Sequence, residues 1–328
     1  MPVHNGAVHL AEAMHSILRQ SLRDFEFLII DDASTDDSVS IIEEFKDPRI
    51  RLIQSPERLK LSGALNLGLD QARGRYIARM DADDISLPKR LEIQTRFMEQ
   101  NPEIGICGSW IRYFGSSTQI LCRPTHHQEI RAFTLIDTPF AHPTVMLRRD
   151  MFEHHHLRFN GEFFPTEDFE LWTRVLRLMP AANLPQILLR YRIHNQSLTG
   201  ADWTNMDEQA IRVVQTQLQS LGITPSSEEL RFHRQLTMGR LEMTEAGLDQ
   251  AENWLSRLLE ANQSTHAFDQ STLATILGEV WHRTCMHSAK LGFWVANRYQ
   301  RSFLSADQKH RTQHTCLMRL AALKAKVL

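Results

Sequence analysis

Cysteine is scarce in this chain: Cys107, Cys122, Cys285 and Cys316 are the only four in 328 residues. None forms a C-x-x-C pair, so neither a zinc cluster nor a disulfide scaffold is indicated, and a reducing, cytoplasmic setting fits. A strong charge of either sign is also lacking. The 37 Lys and Arg nearly balance the 39 Asp and Glu, for a formal net charge of -2, which excludes nucleic acid as the main partner. No apolar run approaches the ~20 residues that a helix needs to cross a bilayer. The first residues carry no basic-then-apolar leader pattern, and no repeat period emerges. What is present is an ordinary globular composition, 42% hydrophobic and 23% charged, enough for a sizeable core and against disorder. The length suits one large domain or two ordinary ones.

The first half alternates strand and helix signals. Apolar residues at Leu10, Ala13, Met14, Ile17 and Leu18 predict a helix over 7–20. Residues 25–30 are a continuous apolar run ending in Asp31-Asp32, as in a buried parallel strand. Ser34, Thr35, Asp36 and Asp37 then offer N-cap groups before Val39, Ile41, Ile42 and Phe45. Residues 50–53 and 75–80 read as strands, 61–72 as a helix, and Pro88 as an opening position before Leu91, Ile93, Phe97 and Met98. This alternation predicts an open, mostly parallel α/β sheet flanked by helices. Ligands of such sheets bind beyond the carboxyl ends of the strands.

Between 104 and 194 strands are expected at 104–106, 144–147 and 187–192, with helices at 129–135 and 168–178. Beyond Gly200 strand signals stop. Residues 203–328 predict four or five amphipathic helices, broken near 222–225, Gly239 and 262–265. The expected division is an α/β domain over 1–200, with halves 1–100 and 101–200, and a helical extension over 201–328. From Arg301 onward six basic residues (Arg301, Lys309, Arg311, Arg319, Lys324, Lys326) stand against one acid, Asp307. With Leu317, Met318, Leu320, Leu323 and Val327 they form a basic amphipathic helix. It is either a packed helix with a solvated basic face or a contact with an anionic membrane surface, which would make the protein peripheral on the inner face of the plasma membrane.

The chemistry concentrates at strand ends. Asp81, Asp83 and Asp84 place three carboxylates in four positions directly after the 75–80 strand. Like charges this close repel and raise one another's pKa. A divalent cation relieves that repulsion, and hard oxygen ligands suit Mg²⁺ or Mn²⁺, which favour phosphate oxygens as further ligands. The pattern points to a nucleotide diphosphate. A solvated acidic turn is the plain alternative, and the second acidic strand end at Asp31-Asp32, on the same expected rim, weighs against it.

Several segments in order resemble the family 2 glycosyltransferases of GT-A fold: Met1-Pro2-Val3-His4-Asn5, 27–32 with Ser34-Thr35-Asp36, 64–69, 76–84, 140–146, 166–172 and Tyr191-Arg192-Ile193-His194. The likeness covers roughly residues 1–200; the helical extension matches only loosely. It implies a Rossmann-like sheet and an inverting, metal-dependent transfer of a sugar from a nucleotide-diphosphate donor, most simply UDP-linked. The implied acceptor is a saccharide or lipid-linked saccharide of the bacterial cell envelope. By the resemblance, Pro2, Val3, Asn5, Asp31, Asp32, Arg58 and Asp81 lie on the nucleotide side, with Asp31 or Asp32 accepting from the base or ribose. Asp83, Asp81 and His194 would hold Mn²⁺ or Mg²⁺. Asp168 would be the base that deprotonates the acceptor, with Glu167 orienting donor or acceptor groups. His142 and Arg192 would lie on the acceptor side, Arg192 pairing with the Glu167-Asp168 region or with phosphate. Asp84 is expected to cap the helix near Pro88, Trp172 to be core, and His154-His155-His156 to be surface.

Two departures stand out. The family has an apolar strand just before its first motif, and here the chain starts at Met1 of that motif; a native chain that extends upstream is the expectation, a truncated relative the alternative. Lys60 stands where a glycine is common before the 61–69 helix; with Arg58 it would meet the diphosphate or simply be exposed. Two rival functions remain. A nucleotidyltransferase would need a Gly-rich basic loop, which Asn5-Gly6-Ala7-Val8-His9 does not supply. A non-catalytic nucleotide-sugar binder would bind donors without metal-dependent turnover.

Overall fold

Pro2–Val3 (β1), Phe27–Asp31 (β2) and Ile50–Gln54 (β3) form a parallel three-stranded sheet in the order β1-β2-β3 in the computed structural model. The structure describes residues 1–194, 203–241, 244–305 and 311–327, without the side chains of 203–204, 311 and 324–327; Asp307 and Lys309 lie outside the described residues. Helix α1 (Ala7–Leu18) follows β1 and buries Leu10, Ala13, Met14 and Ile17, the periodic stripe of the sequence, against Val3, Phe27 and Ile29. With α1, helix α2 (Ser38–Glu44) makes the crossovers that parallel pairing requires, and α3 (Lys60–Gln71) leads from β3 to the second sheet.

The second sheet holds β4 (Tyr76–Ala78), β5 (Ile85–Ser86), β6 (Ile106–Gly115), β7 (Ile120–Leu121), β8 (Met146–Arg148) and β9 (Ala181–Ile193), in the order β4-β8-β6-β9-β5 with β7 on β6. Only β6 and β9 pair in parallel; β4-β8, β5-β9, β6-β7 and β6-β8 are antiparallel. The expected parallel arrangement therefore describes β1 to β3, while the second sheet is mixed. Between β6 and β9 lie helices α5 (His127–Phe133), α6 (Arg149–His154) and α7 (Glu167–Leu178), long enough to return the chain in the same direction. The β9 strand starts earlier than the sequence suggests. Pro185 interrupts the pattern, since it cannot donate to a ladder, and the register shifts there: Leu184 pairs with Ser109, Ile187 with Trp110. Trp172, on α7, is fully buried, its ring against Phe140 and Phe159 at centroid distances of 5.7 and 6.0 Å. It is core, as expected, and the 154–156 histidines are exposed.

No pairing links β2 to β4. A cavity of about 640 Å³ lies there, lined by Phe27, Leu28 and Ile30 of β2 and Tyr76, Ile77 and Ala78 of β4. The Met1 amino group is buried beside it and donates to Leu28 O at 2.9 Å; desolvation, reinforced by Arg79, lowers its pKa to about 5. The motif's own Pro2–Val3 forms a two-residue strand that pairs with β2 alone.

By contact density the chain divides into two units, residues 1–130 with 138–210 and residues 131–137 with 211–328. After α8 (Trp203–Ser220), the second unit contains α9 (Ser227–Thr237), α10 (Glu245–Thr265), α11 (Gln270–His287), α12 (Phe293–Arg301) and α13 (Arg311–Val327). Ser226 and Glu229 form a reciprocal capping box at the start of α9. The break expected at 262–265 falls at the next residue, the left-handed His266 (φ 51°), where the buried Asn262 holds the turn through Phe268 N and O.

Candidate active site

The loop from β4 to β5 carries Asp81, Asp83 and Asp84, whose carboxylate oxygens lie within 4.8 Å of one another. Arg79, buried at the end of β4, is ion-paired with Asp81. Burial, and then the charge of Asp83, raise the Asp81 pKa against the opposing pull of Arg79. Asp84 is 1% exposed, and burial pushes its pKa well up, with Asp81 and Asp83 adding to the rise. One Asp84 oxygen accepts from Arg192 N at 2.9 Å; the other is buried without a partner among the described residues. Asp84 is therefore no helix cap: α4 (Arg90–Gln100) has Lys89 at its N-cap position, and β5-β9 pairing brings Arg192 over the carboxylate first.

That same pairing carries His194 back to the acidic loop, where its Nε2 lies 2.9 Å from Asp83 Oδ2. Arg192 Nε donates to Asp83 O at 2.8 Å, and its guanidinium is ion-paired with Glu12 of α1. The structure thus places Arg192 on the acidic rim, away from the pairing with Glu167-Asp168 suggested by the sequence. His9, one turn before Glu12, packs its ring at a tilt against that of His194, centroids 5.1 Å apart. Its pKa is lowered, chiefly by burial and then by Arg192 and His194. His9 and Glu12 carry no motif signal, because α1 presents them to the rim only after the sheets pack.

A second group gathers at the end of β2. Asp32 is engaged throughout: Oδ2 accepts from Arg58 at 2.8 Å and Oδ1 from Leu59 N at 2.5 Å. Arg58 is thereby committed to a protein carboxylate. Asp31 is 2% exposed; Oδ2 accepts from Ser34 N at 3.3 Å and Oδ1 is buried without a partner among the described residues. Neither caps α2, whose first turn is met by Asp36, accepting from Ser38 N and Ala7 N at 3.0 Å each. Val3 lies beside Asp31 in the β1-β2 register and accepts from Asp32 N at 2.8 Å. Asn5 (φ 50°) accepts from Thr35 N at 2.8 Å, tying the loop after β1 to the loop after β2. Lys60 has φ 61°, the left-handed conformation that favours glycine, which accounts for a glycine being common there.

The third group opens α7. Glu167 is 2% exposed, Oε2 is buried without a partner among the described residues, and burial followed by Asp168 raises its pKa to about 7. Arg79 and Asp81 both contribute to its electrostatics, so this group shares a field with the acidic rim. Asp168 Oδ1 accepts from Phe169 N at 2.7 Å, and Oδ2 lies 3.9 Å from His142 Nδ1. His142, between Phe159 and Trp172, is kept neutral by burial, its pKa well below the usual range. It opens the short turn 142–144 and lies beside the candidate base.

The donor set suits a divalent cation. Asp81, Asp83 and Asp84 supply hard oxygens at close range, with His194 adjacent and one Asp84 oxygen unsatisfied.

Comparison with known proteins gives the family and the fold. The sequence model of glycosyl transferase family 2 matches residues 1–155. The O-antigen biosynthesis glycosyltransferase WbnJ of Escherichia coli is 35% identical over 207 residues, covering 60% of this chain and 79% of its own. The Escherichia coli UDP-Glc:alpha-D-GlcNAc-diphosphoundecaprenol beta-1,3-glucosyltransferase WfgD is 28% identical over 212 residues, covering 64% and 81%. Among solved structures, Staphylococcus aureus TarS 1-349 in complex with UDP-GlcNAc superposes with a TM-score of 0.58 at 14% identity, covering 95% of this chain and 90% of that one; at that identity the likeness speaks to the fold alone. With its parallel β1 to β3 sheet, helical C-terminal region and acidic strand ends, the chain is a GT-A-fold glycosyltransferase and belongs to glycosyl transferase family 2.

Proposed function

We propose that this enzyme transfers a sugar, with inversion, from a nucleotide-diphosphate donor, UDP-linked in the first instance, to a saccharide or lipid-linked saccharide in envelope polysaccharide synthesis on the cytoplasmic side. The observation that carries this reading is the convergence of Asp81, Asp83 and Asp84 with His194 at one rim. The names of WbnJ and WfgD support the polysaccharide setting, and the latter the lipid-linked acceptor and UDP donor.

The roles follow from what each side chain has left to offer. Asp31 keeps one unpartnered oxygen and is the residue to accept from the base or ribose; Asp32 holds Arg58 and the start of α3 instead. Pro2, Val3 and Asn5 shape the nucleotide side through backbone held by the loop after β2. Asp83, Asp81 and His194 would hold Mn²⁺ or Mg²⁺, which when bound offsets the charge on the departing diphosphate. At the opposite group Asp168 takes the proton of the acceptor hydroxyl as its oxygen bonds to the anomeric carbon and the bond to the diphosphate oxygen breaks. A single displacement inverts the configuration. His142 borders Asp168, and Glu167, holding a proton up to about neutral pH, can donate to a sugar hydroxyl.

A donor panel of UDP-, GDP- and dTDP-sugars, assayed with and without Mn²⁺, tests the reading. We expect turnover with one donor class, lost by about 10²–10³-fold in Asp83→Ala and about 10²–10⁴-fold in Asp168→Asn. Binding of a donor without turnover would favour a non-catalytic binder, and full activity in Asp168→Asn would remove the base assignment.

A further inference from the structure

Helix α13 presents apolar residues on two opposite sides. It buries Thr315, Met318 and Ala322, exposed by 3%, 0% and 1%, against α12 and the short turn 289–291. Leu317, Leu320 and Leu323 are exposed by 45%, 54% and 48%. At ~3.6 residues per turn, this leucine stripe lies roughly 170° around the helix from the buried line. Met318, grouped with the leucines by sequence, belongs to the other side.

An outward stripe of three leucines does nothing for the packing of this chain, and single exposed leucines are ordinary where a row of them is not. The charge of the segment, as the sequence gives it, says what would cover it. The segment from Arg301 onward carries six basic residues and one acid in a chain whose net charge is -2. Arg301 is exposed at the end of α12, and Arg319 reaches Asn297 at 3.1 Å, leaving no acidic partner in that contact. A second copy docked on the stripe would bring two basic segments together. An anionic bilayer would neutralise them while its acyl boundary accepts the leucines, as interfacial amphipathic helices do. None of the described helices is long and apolar enough to cross a membrane, so the contact would lie in the interface plane.

We propose that α13 docks on an anionic lipid surface through Leu317, Leu320 and Leu323, with the basic residues of the segment drawing it to the headgroups. This does not depend on the transfer chemistry.

The test is co-sedimentation of the full chain with vesicles of phosphatidylcholine alone and of phosphatidylcholine with phosphatidylglycerol, at low and high salt. We expect binding to the anionic vesicles only, weakened by salt, and reduced by about tenfold or more in the triple variant Leu317→Glu, Leu320→Glu, Leu323→Glu. The milder Leu317→Ser, Leu320→Ser, Leu323→Ser variant, with an unchanged thermal melt, guards against misfolding and should also bind less. A wild-type chain that stays in the supernatant with anionic vesicles overturns the proposal. So does a leucine variant that binds as the wild type does, or a wild-type dimer in sedimentation velocity that the serine variant dissolves.

Discussion

In the helical unit the buried His233 accepts from Trp254 Nε1 at 2.9 Å and donates to Leu135 O at 2.6 Å, and the buried Asn262 is matched by Phe268 N and O and by Gln270. In the α/β unit Asp31, Asp84 and Glu167 each keep a buried oxygen with no partner among the described residues. The helical unit has exceptions, but they are the ring nitrogens of Trp281 and His282 rather than carboxylates. An unmatched buried carboxylate oxygen is costly to folding. Three of them, one in each of the three groups of the candidate site, mark where groups from outside the chain complete the bonding. The helical unit spends its polar groups on its own structure.

The contrast can be broken most directly at Asp84. Asp84→Asn keeps the acceptor for Arg192 N and removes one of three crowded charges. We expect activity to fall by about 10²–10³-fold with no loss of thermal stability, measured by steady-state kinetics beside a melting curve. The reverse pattern is expected at His233. Replacing it with Ala leaves a cavity and strands Trp254 Nε1 and Leu135 O, costing about 3–4 kcal/mol in urea unfolding, with kcat of the surviving folded fraction unchanged. A large kcat defect there would erase the distinction between the units.

Glu167 sharpens the same comparison through pH. Its folded pKa of about 7 lies above the ordinary carboxylate value of 4.5, so the folded state binds the proton more tightly. Its contribution is therefore complete below about 4.5 and is lost as pH rises through about 7, on the order of 2–3 kcal/mol. Glu167→Gln should remove that slope, read as the difference in urea midpoint between acidic and alkaline buffers. An unchanged slope would show that another group carries it. The smallest effect is expected at Lys60, whose left-handed φ of 61° carries a Cβ penalty that glycine lacks. Lys60→Gly should gain about 0.5–1 kcal/mol without altering turnover.

Much of this was legible in residue order. The periodic stripe of α1, the apolar run of β2 and the two acidic strand ends depend on neighbours a few positions away, and the sequence displays such neighbours directly. The β9 strand was legible only in part, since Pro185 argues against a strand until a register shift accommodates it. The mixed pairing of the second sheet was not legible, because β5 and β8 are two and three residues long and carry almost no pattern of their own.

By itself, then, the sequence determined the fold class, the presence of acidic residues at strand ends and the likeness to a glycosyltransferase family, all carried by local spacing and ordered motifs. Only the tertiary structure decided what each of those residues does. It took Asp84 from a helix cap into the acidic trio, engaged Asp32 with Arg58 while leaving Asp31 an open oxygen, moved Arg192 onto the rim against Glu12, and set His9 beside His194. His194 and Asp83 are 111 positions apart. Their meeting is fixed by the β5-β9 ladder and the packing beneath it, and no local pattern encodes a contact made by strands that find each other only when the core closes.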